Sequence, residues 1–444
     1  MRPLAAGIAL AVSLFWSSTL HAVTYREVLA EALRYSPRLR ILREEIYIRD
    51  ALYHRSLSSF WPSLSLNARM ERFENLLPSS GVVTAGGEVI GGQPDEWRNS
   101  FYLSAEYRLS SFYKNWPEKE YYRHLRKEAA CRHEAEVRRL LRRVTQAYGA
   151  VVETRIKLEY ADKILARLKE IARLEEELYR KGELAREEVI RTRAEIEAHL
   201  REMERLRSEL ARELSTLSRY TGRFFGPEED FEPLRPEMEP KGKPAPELSP
   251  EYLAERARLL ALRENRKAAE RERLPDLTAY ARYDLYGAST RSMGEALDET
   301  RATAFTFGVF LSLPLFDGGY RKWERVRALH ELKRQREALR LAELEKTREI
   351  RDLRLRYEST RRSLRSYENL LRHYRKLHRI AVSARKLGGR SEIDVLRLER
   401  DLLSVERDLR VTRNTLALLE KLLLLETDPG GLVDVPHGKW TCKP

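Results

Sequence analysis

The chain has 444 residues, 34% of them charged, and a formal net charge of +14. Two cysteines, Cys131 and Cys442, are too few for a disulfide framework, and neither has neighbours at metal-ligand spacing. The excess of Arg would suit nucleic acid or an anionic surface. However, the basic residues alternate with Glu along helical stretches instead of clustering, so the composition describes long helices with solvated faces and excludes nucleic acid as the expected partner.

Residues 1–22 read as a secretory signal peptide. Arg2 gives the positive start, Leu4 to Phe15 the apolar stretch, and Leu20-His21-Ala22 the small-residue cleavage site. The residue after the cut is Val23, not Cys, so no lipid anchor is expected at the mature N-terminus. No other stretch reaches the length of a spanning helix. An exported chain of this kind crosses a membrane only as a β-barrel.

The first repeat is expected over residues 23–226. Helical spacing runs from Thr24 to Ser58, with Ser36-Pro37 as a cap and first-turn proline. Pro62 ends it, and the period becomes two. A strand over 63–72 sets Leu64, Leu66, Ala68 and Met70 against Ser63, Ser65, Asn67 and Arg69. After a Gly-rich loop (Gly81, Gly86, Gly87, Gly91, Gly92) a second strand over 99–113 alternates Phe101, Leu103, Ala105 and Tyr107 with Tyr102, Ser104, Glu106 and Arg108. A helical hairpin over 118–220 then steps by threes and fours through Val137, Leu141, Val144, Tyr148 and Leu168, turns at Gly182, and returns through Ile196, Leu210 and Leu217.

Residues 227–248 form a Pro-rich strap, within a stretch from Gly222 to Pro250 that holds seven prolines and cannot continue a helix. The second repeat, 249–427, restates the first. Pro275-Asp276-Leu277 echoes Pro62-Ser63-Leu64 at an offset of 213, and Leu387-Gly388 echoes Lys181-Gly182 at an offset of 206. The offsets differ by one heptad, which preserves hydrophobic phase. Its strands are expected at 276–286 and 303–316, the latter with Phe305, Phe307, Val309 and Leu311 on one face, and its hairpin at 320–425. At about 1.5 Å per residue the long helices would be roughly 90–100 Å long. The tail, 428–444, shows no period and is expected to be mobile.

Strands with one uncharged apolar face suit a membrane barrel with a wet lumen. Four of them cannot close, and unpaired edges in hydrocarbon are costly, so several copies must contribute. Trp61, Trp97, Trp116 and Trp323 lie near strand ends, where an aromatic girdle would sit. The fold class expected is therefore mainly α with a transmembrane β-barrel contribution: a duplicated unit of helix, strand pair and long helical hairpin, with four strands per chain. A secreted periplasmic coiled-coil structural or adaptor protein with a small soluble β domain is the alternative.

The arrangement resembles the outer membrane efflux protein family, the TolC-like channels. The likeness is carried by Ala32-Leu33 and Ser36-Pro37-Arg38-Leu39, the two strand-opening prolines, Leu313-Pro314-Leu315-Phe316-Asp317-Gly318-Gly319, and Leu387-Gly388 through Asp394-Val395-Leu396. The first half departs from it, with Leu109-Ser110-Ser111-Phe112 in place of the Asp-Gly-Gly closure and Glu188 where the family favours Asp. The resemblance implies a homotrimer with a twelve-stranded α/β barrel in outer-membrane lipid and a helical tunnel through the periplasm. It also implies a passive exit duct for efflux or type I secretion, working with a periplasmic adaptor (membrane fusion protein) and an inner-membrane transporter.

At the hairpin tips Gly182, Glu183, Arg186, Glu188, Gly388, Gly389, Arg390, Glu392 and Asp394 are the candidates for adaptor docking and gating. Pro314, Asp317, Gly318 and Gly319 form a structural strand-closing turn in which the Asp caps the next helix. No phosphate loop, zinc-protease motif or nucleophile–base pair is present, and His373 and His378 are five apart, off a common helical face. No catalytic, cofactor or metal site is expected, and the chain is not expected to be an enzyme.

Overall fold

The computed structural model describes residues 22–74, 82–83, 89–90, 96–236, 245–427 and 442. All but the last residue of the expected signal peptide, most of the first Gly-rich loop, residues 237–244 of the expected strap and nearly all of the tail lie outside these residues. The chain divides into two compact units, each drawing on both repeats: 1–41, 133–249 and 344–439 in one, and 42–132, 250–343 and 440–444 in the other.

In chain order the elements are α1 (Tyr25–Tyr35), α2 (Pro37–Ser58), β1 (Ser63–Phe73), β2 (Val82–Val83), β3 (Val89–Ile90), β4 (Glu96–Arg108), α3 (Ser111–Lys114), α4 (Trp116–Arg180) and α5 (Arg186–Thr221). The second half adds α6 (Pro250–Arg271), β5 (Asp276–Ser289), α7 (Met293–Asp298), β6 (Arg301–Ser312), α8 (Tyr320–Lys386) and α9 (Glu392–Thr427). The four long strands form one antiparallel sheet in the order β1-β4-β5-β6, so one strand of each repeat lies at an edge.

Two strands are shorter at their ends than the alternation implied. β4 starts earlier and stops at Arg108, not at residue 113, because Ser111–Lys114 closes a helical turn. β6 stops at Ser312, not 316, since Pro314 has no N–H to give the ladder. The loop between β5 and β6 contains α7, whose N-terminus is capped by Ser292 through the Glu295 amide at 3.2 Å.

The first unit has a core built on α1 and the residues just before it. Thr24 and Glu27 cap α1 reciprocally. Val23 pairs in parallel with Phe231 of the strap: its amide donates to the Asp230 carbonyl at 2.8 Å, and its carbonyl accepts from Glu232 at 3.1 Å. Beneath them the fully buried Tyr148 of α4 directs its hydroxyl at the carbonyls of Val23, 2.9 Å, and Glu232, 2.8 Å. Burial raises the phenol pKa well above its ordinary value, so it stays a donor at any physiological pH. Leu29, Leu141, Val144, Val151 and Leu217 pack around it.

The same unit buries charge. Lys346 and Glu426, nearly inaccessible, meet at 2.6 Å, and Lys346 also reaches Glu349 at 3.2 Å. Arg142 touches both carboxylates, completing an alternating ring of two cations and two anions on α4, α8 and α9. Such charges are tolerable away from water only because each has opposite partners.

The second unit contains the sheet and a disulfide, Cys131–Cys442, whose ends are 311 positions apart in sequence. Residue 442, the one described residue of the tail, is tied by it to α4 beside Leu253 and Ala254 of α6. The pairing was hidden by that separation, although an exported chain with an even cysteine count was the available signal.

Two outcomes follow from these contacts. Tyr148→Phe removes the buried hydroxyl that lies within hydrogen-bond distance of the Val23 and Glu232 carbonyls and is expected to cost about 1–3 kcal/mol, read as a lower denaturation midpoint by circular dichroism. Glu128, paired with Arg132 at 2.7 Å, has its carboxyl pKa raised, chiefly by burial. A raised carboxyl favours the folded state while protonated, and that contribution is lost as pH rises through its folded value. Glu128→Gln should therefore match or exceed the wild-type unfolding temperature at about pH 7, with the gap closing toward about pH 4.

Candidate functional site

The sheet places the alternating residues of all four strands in common rows. Leu66, Leu103, Tyr283 and Phe305 are cross-strand partners in sequence, as are Leu64, Ala105, Ala281 and Phe307. This face carries no charge over those rows and is open among the described residues: Leu66 is 74% and Phe307 75% exposed. A contiguous apolar surface of this kind requires a non-aqueous environment or a partner.

The opposite face is polar. Ser65, Ser104, Arg282 and Thr306 form one row, and Asn67, Tyr102, Asp284 and Ala304 the next. Ser65 and Ser104 share a hydrogen bond of 2.7 Å, Arg282 pairs with Asp284 at 2.6 Å, and its guanidinium lies 4.0 Å from the Tyr102 ring centre. Phe310, exposed on this side, is the apolar exception.

At one end of the apolar face the sheet is capped by α7. Asn99 is fully buried there and accepts from the Thr300 hydroxyl at 3.1 Å. A side chain at Gly287 would put its Cβ 2.1 Å from the Ala296 carbonyl oxygen, so only glycine lets α7 approach this closely. Of the four tryptophans expected to flank the strands, Trp97 lies in β4 beneath the Arg72 guanidinium. Trp61, Trp116 and Trp323 lie outside the strands, and each is exposed.

The strand-closing turn has a definite geometry. Gly318 and Gly319 adopt φ of +65° and +86°. The Asp317 carboxylate accepts from the amides of Gly319 at 3.0 Å and Arg321 at 3.1 Å, capping α8, while Pro314 lies in the irregular stretch after β6.

Both hairpin tips in the first unit share one turn. Glu183 donates its amide to Leu178 and Gly182 to Tyr179; Gly389 donates to Ala384 and Gly388 to Arg385. These paired bonds satisfy the last carbonyls of α4 and α8, and they require the positive φ seen at Gly182, +79°, and Gly388, +76°. The return helices start differently. α9 opens with Ser391 and Asp394 in a reciprocal cap, whereas Ala185 gives α5 no side-chain cap.

The nine candidate tip residues therefore separate by environment. The glycines make the turns, Asp394 caps, and Glu392 pairs with Arg385 at 3.0 Å. Glu188 faces inward to Arg397 at 3.5 Å. Glu183, Arg186 and Arg390 are exposed at the turns.

The residues that sequence reasoning missed are Glu175 and Arg397. Glu175, on α4, is fully buried and meets Arg397 of α9 at 2.9 Å. It occupies the apolar stripe between Ile171 and Leu178, and a carboxylate at such a position was the signal that could have found it. Arg167–Glu399 at 3.1 Å, Arg400–Glu195 at 3.2 Å and Arg410–Glu159 at 3.3 Å continue the cross-links between the first hairpin and α9.

Among the described residues no group of three or more His, Cys, Asp or Glu is placed to hold a metal ion. No described helix is long and apolar enough to cross a membrane.

Arg397→Ala strands the buried Glu175 carboxylate and should cost about 3–5 kcal/mol of local stability, seen as faster amide exchange across residues 171–188. Adding Glu175→Gln to it should recover most of the protection, because the orphaned charge is then gone.

Comparison with known proteins gives a consistent picture. Residues 244–422 match the model of a family described as outer membrane efflux protein. No curated protein matches the chain. Among solved structures, the CmeC outer membrane channel of Campylobacter jejuni is similar at a TM-score of 0.75 and 16% identity, over 96% of this chain and 93% of that one. The outer membrane protein VceC of Vibrio cholerae gives 0.72 at 16% identity over 90% and 95%. A membrane protein of Pseudomonas aeruginosa gives 0.73 at 19% identity over 100% and 98%. At these identities the structural likeness speaks for the fold.

Proposed function

From the match of residues 244–422 to the outer membrane efflux protein family, we propose that this chain is the outer-membrane exit duct of a tripartite efflux or type I secretion system. It acts as a passive channel, working with a periplasmic adaptor and an inner-membrane transporter. The observation that carries the reading is the sheet: four strands, an uncharged exposed face, and unpaired edges on β1 and β6 among the described residues. Backbone groups on such edges find partners in hydrocarbon only if other chains supply strands.

A homotrimer is the assembly proposed. A second feature supports self-association. Leu344, Leu355, Leu370, Leu377 and Ile380 of α8 are all exposed, Leu355 by 58%. At about 100° per residue they fall within an arc of roughly 80°, one narrow stripe on a helix otherwise rich in Arg. An unpartnered stripe of this kind is what a neighbouring copy would cover.

The tips are the proposed docking surface. Glu183, Arg186 and Arg390 are presented outward, and short-range charge complementarity at a rim governs partner choice and association rate. The ion pair of Glu188 with Arg397 and the cap of Asp394 hold the presenting turns in shape.

Detergent-solubilised protein should run at three chain masses by light scattering and give stepwise conductance in a planar bilayer. A monodisperse, detergent-free monomer that keeps its β-content would sink the proposal. Leu355→Glu, which puts an unpaired charge in the stripe, should lower the trimer fraction about tenfold at equal concentration. Reversing charge at the tips (Glu183→Lys with Arg186→Glu and Arg390→Glu) should leave mass and conductance unchanged while abolishing crosslinking to the adaptor. Unaltered crosslinking would remove the tips from the docking surface.

A further inference from the structure

The first unit contains a cavity of about 820 Å³ that the duct reading does not use. It lies between α4, α5, α9 and the Pro-rich strap, the size of a pocket for a small organic ligand. Its floor is apolar, formed by Val152, Ile156, Leu210 and Phe231. Its rim is cationic: among the described residues Arg155, Arg235, Arg410 and Arg413 line it, against Glu159 and Asp230.

Two of these arginines are already engaged inside the cavity, Arg155 with Asp230 at 3.2 Å and Arg410 with Glu159 at 3.3 Å. The other two are not. Arg413 reaches Glu368, outside the lining, at only 3.7 Å, and Arg235 makes no ion pair among the described residues. The lining thus has two cations in excess over an apolar floor.

A third group reports the missing ligand more directly. Asn414 lines the cavity and is 2% exposed. Its Nδ2 donates to the Gly149 carbonyl at 3.0 Å, which fixes the amide orientation, and its Oδ1 is left without a partner. A buried acceptor left bare costs free energy that a ligand donor would recover.

We propose that this cavity binds a free anionic amphiphile that also carries an N–H or O–H donor. The apolar body lies on Phe231 and Ile156, the acid meets Arg235 and Arg413, and the donor reaches Asn414 Oδ1. Guanidinium–carboxylate pairing supplies orientation, and burial of the apolar body supplies most of the affinity.

The test uses full-length protein in phosphatidylcholine nanodiscs, titrated calorimetrically with N-dodecanoylglycine below its micellar concentration, with empty discs subtracted. Saturable binding at one site per chain is expected. N-dodecanoylethanolamine, which lacks the acid, and dodecanoate, which lacks the amide, should each bind about tenfold more weakly. Arg235→Gln with Arg413→Gln, both at exposed positions, should weaken N-dodecanoylglycine about tenfold while leaving the neutral analogue unchanged. Ile156→Trp, which fills the floor, should abolish binding with the oligomer mass intact. Binding no greater than to empty discs, equal affinity for the neutral analogue, or indifference to the arginine pair would each overturn the proposal. So would a density map showing a neighbouring copy, or residues of the strap, seated in the cavity.

Discussion

Backbone hydrogen bonding at the two outer strands is the constraint on which the rest depends. In water an edge strand is managed with charge or a bulge. Here β1 and β6 instead present Leu64, Leu66, Phe307 and Val309 on an uncharged face right up to both edges. A face suited to hydrocarbon and an edge intolerable in hydrocarbon are compatible only if the sheet is a fragment of a larger closed one. The stripe on α8 poses the same problem in helical form, since its leucines have no cover among the described residues. Strand edge and helix stripe are thus both incomplete in one polypeptide.

The high charge of the chain has a related explanation. A helix that must stay wet on one side and packed on the other cannot bury large apolar faces everywhere, and these helices make many of their cross-contacts by ion pairs. Most pairs within a helix are exposed and worth little. The exceptions cross between helices and bury at least one partner: Glu175 with Arg397, and the ring of Arg142, Glu349, Lys346 and Glu426. Their role is better described as fixing register than as adding stability, because an apolar pair of equal volume would be at least as stable but less selective about alignment.

Much of the fold was legible because two periods dominate the sequence. Alternation by two placed Leu66, Leu103, Tyr283 and Phe305 on one face, and the ladder pairs those residues directly. The glycines at 182 and 388 were readable as turns because few other residues tolerate the positive φ found there. What the sequence hid was contact between distant parts. The Cys131–Cys442 disulfide and the Val23–Phe231 bridge join segments with no shared periodicity. α7 was hidden for another reason: a helix of six residues is too short to show a period, and Gly287, which makes room for it, reads only as a loop residue. At the tips the sequence identified the turns but could not rank their charges. Whether Glu188 faces Arg397 or solvent is decided by the neighbouring hairpin.

The two repeats show how duplication constrains without enforcing identity. Both long helices end in the same pair of amide bonds around a glycine, because the geometry of reversal admits few solutions. Their return helices differ: Ser391 and Asp394 cap α9, while the corresponding Ala185 and Glu188 leave α5 uncapped and send the carboxylate to Arg397 instead. One acidic position has become a local cap in one copy and a long-range tether in the other. Such a change is allowed because the tether adds a contact that the cap could not, linking α5 to α9 across the two hairpins. A symmetric tip would have two equivalent turns held independently. This one has two unlike turns, and Arg397 of the second hairpin meets both Glu175 and Glu188 of the first.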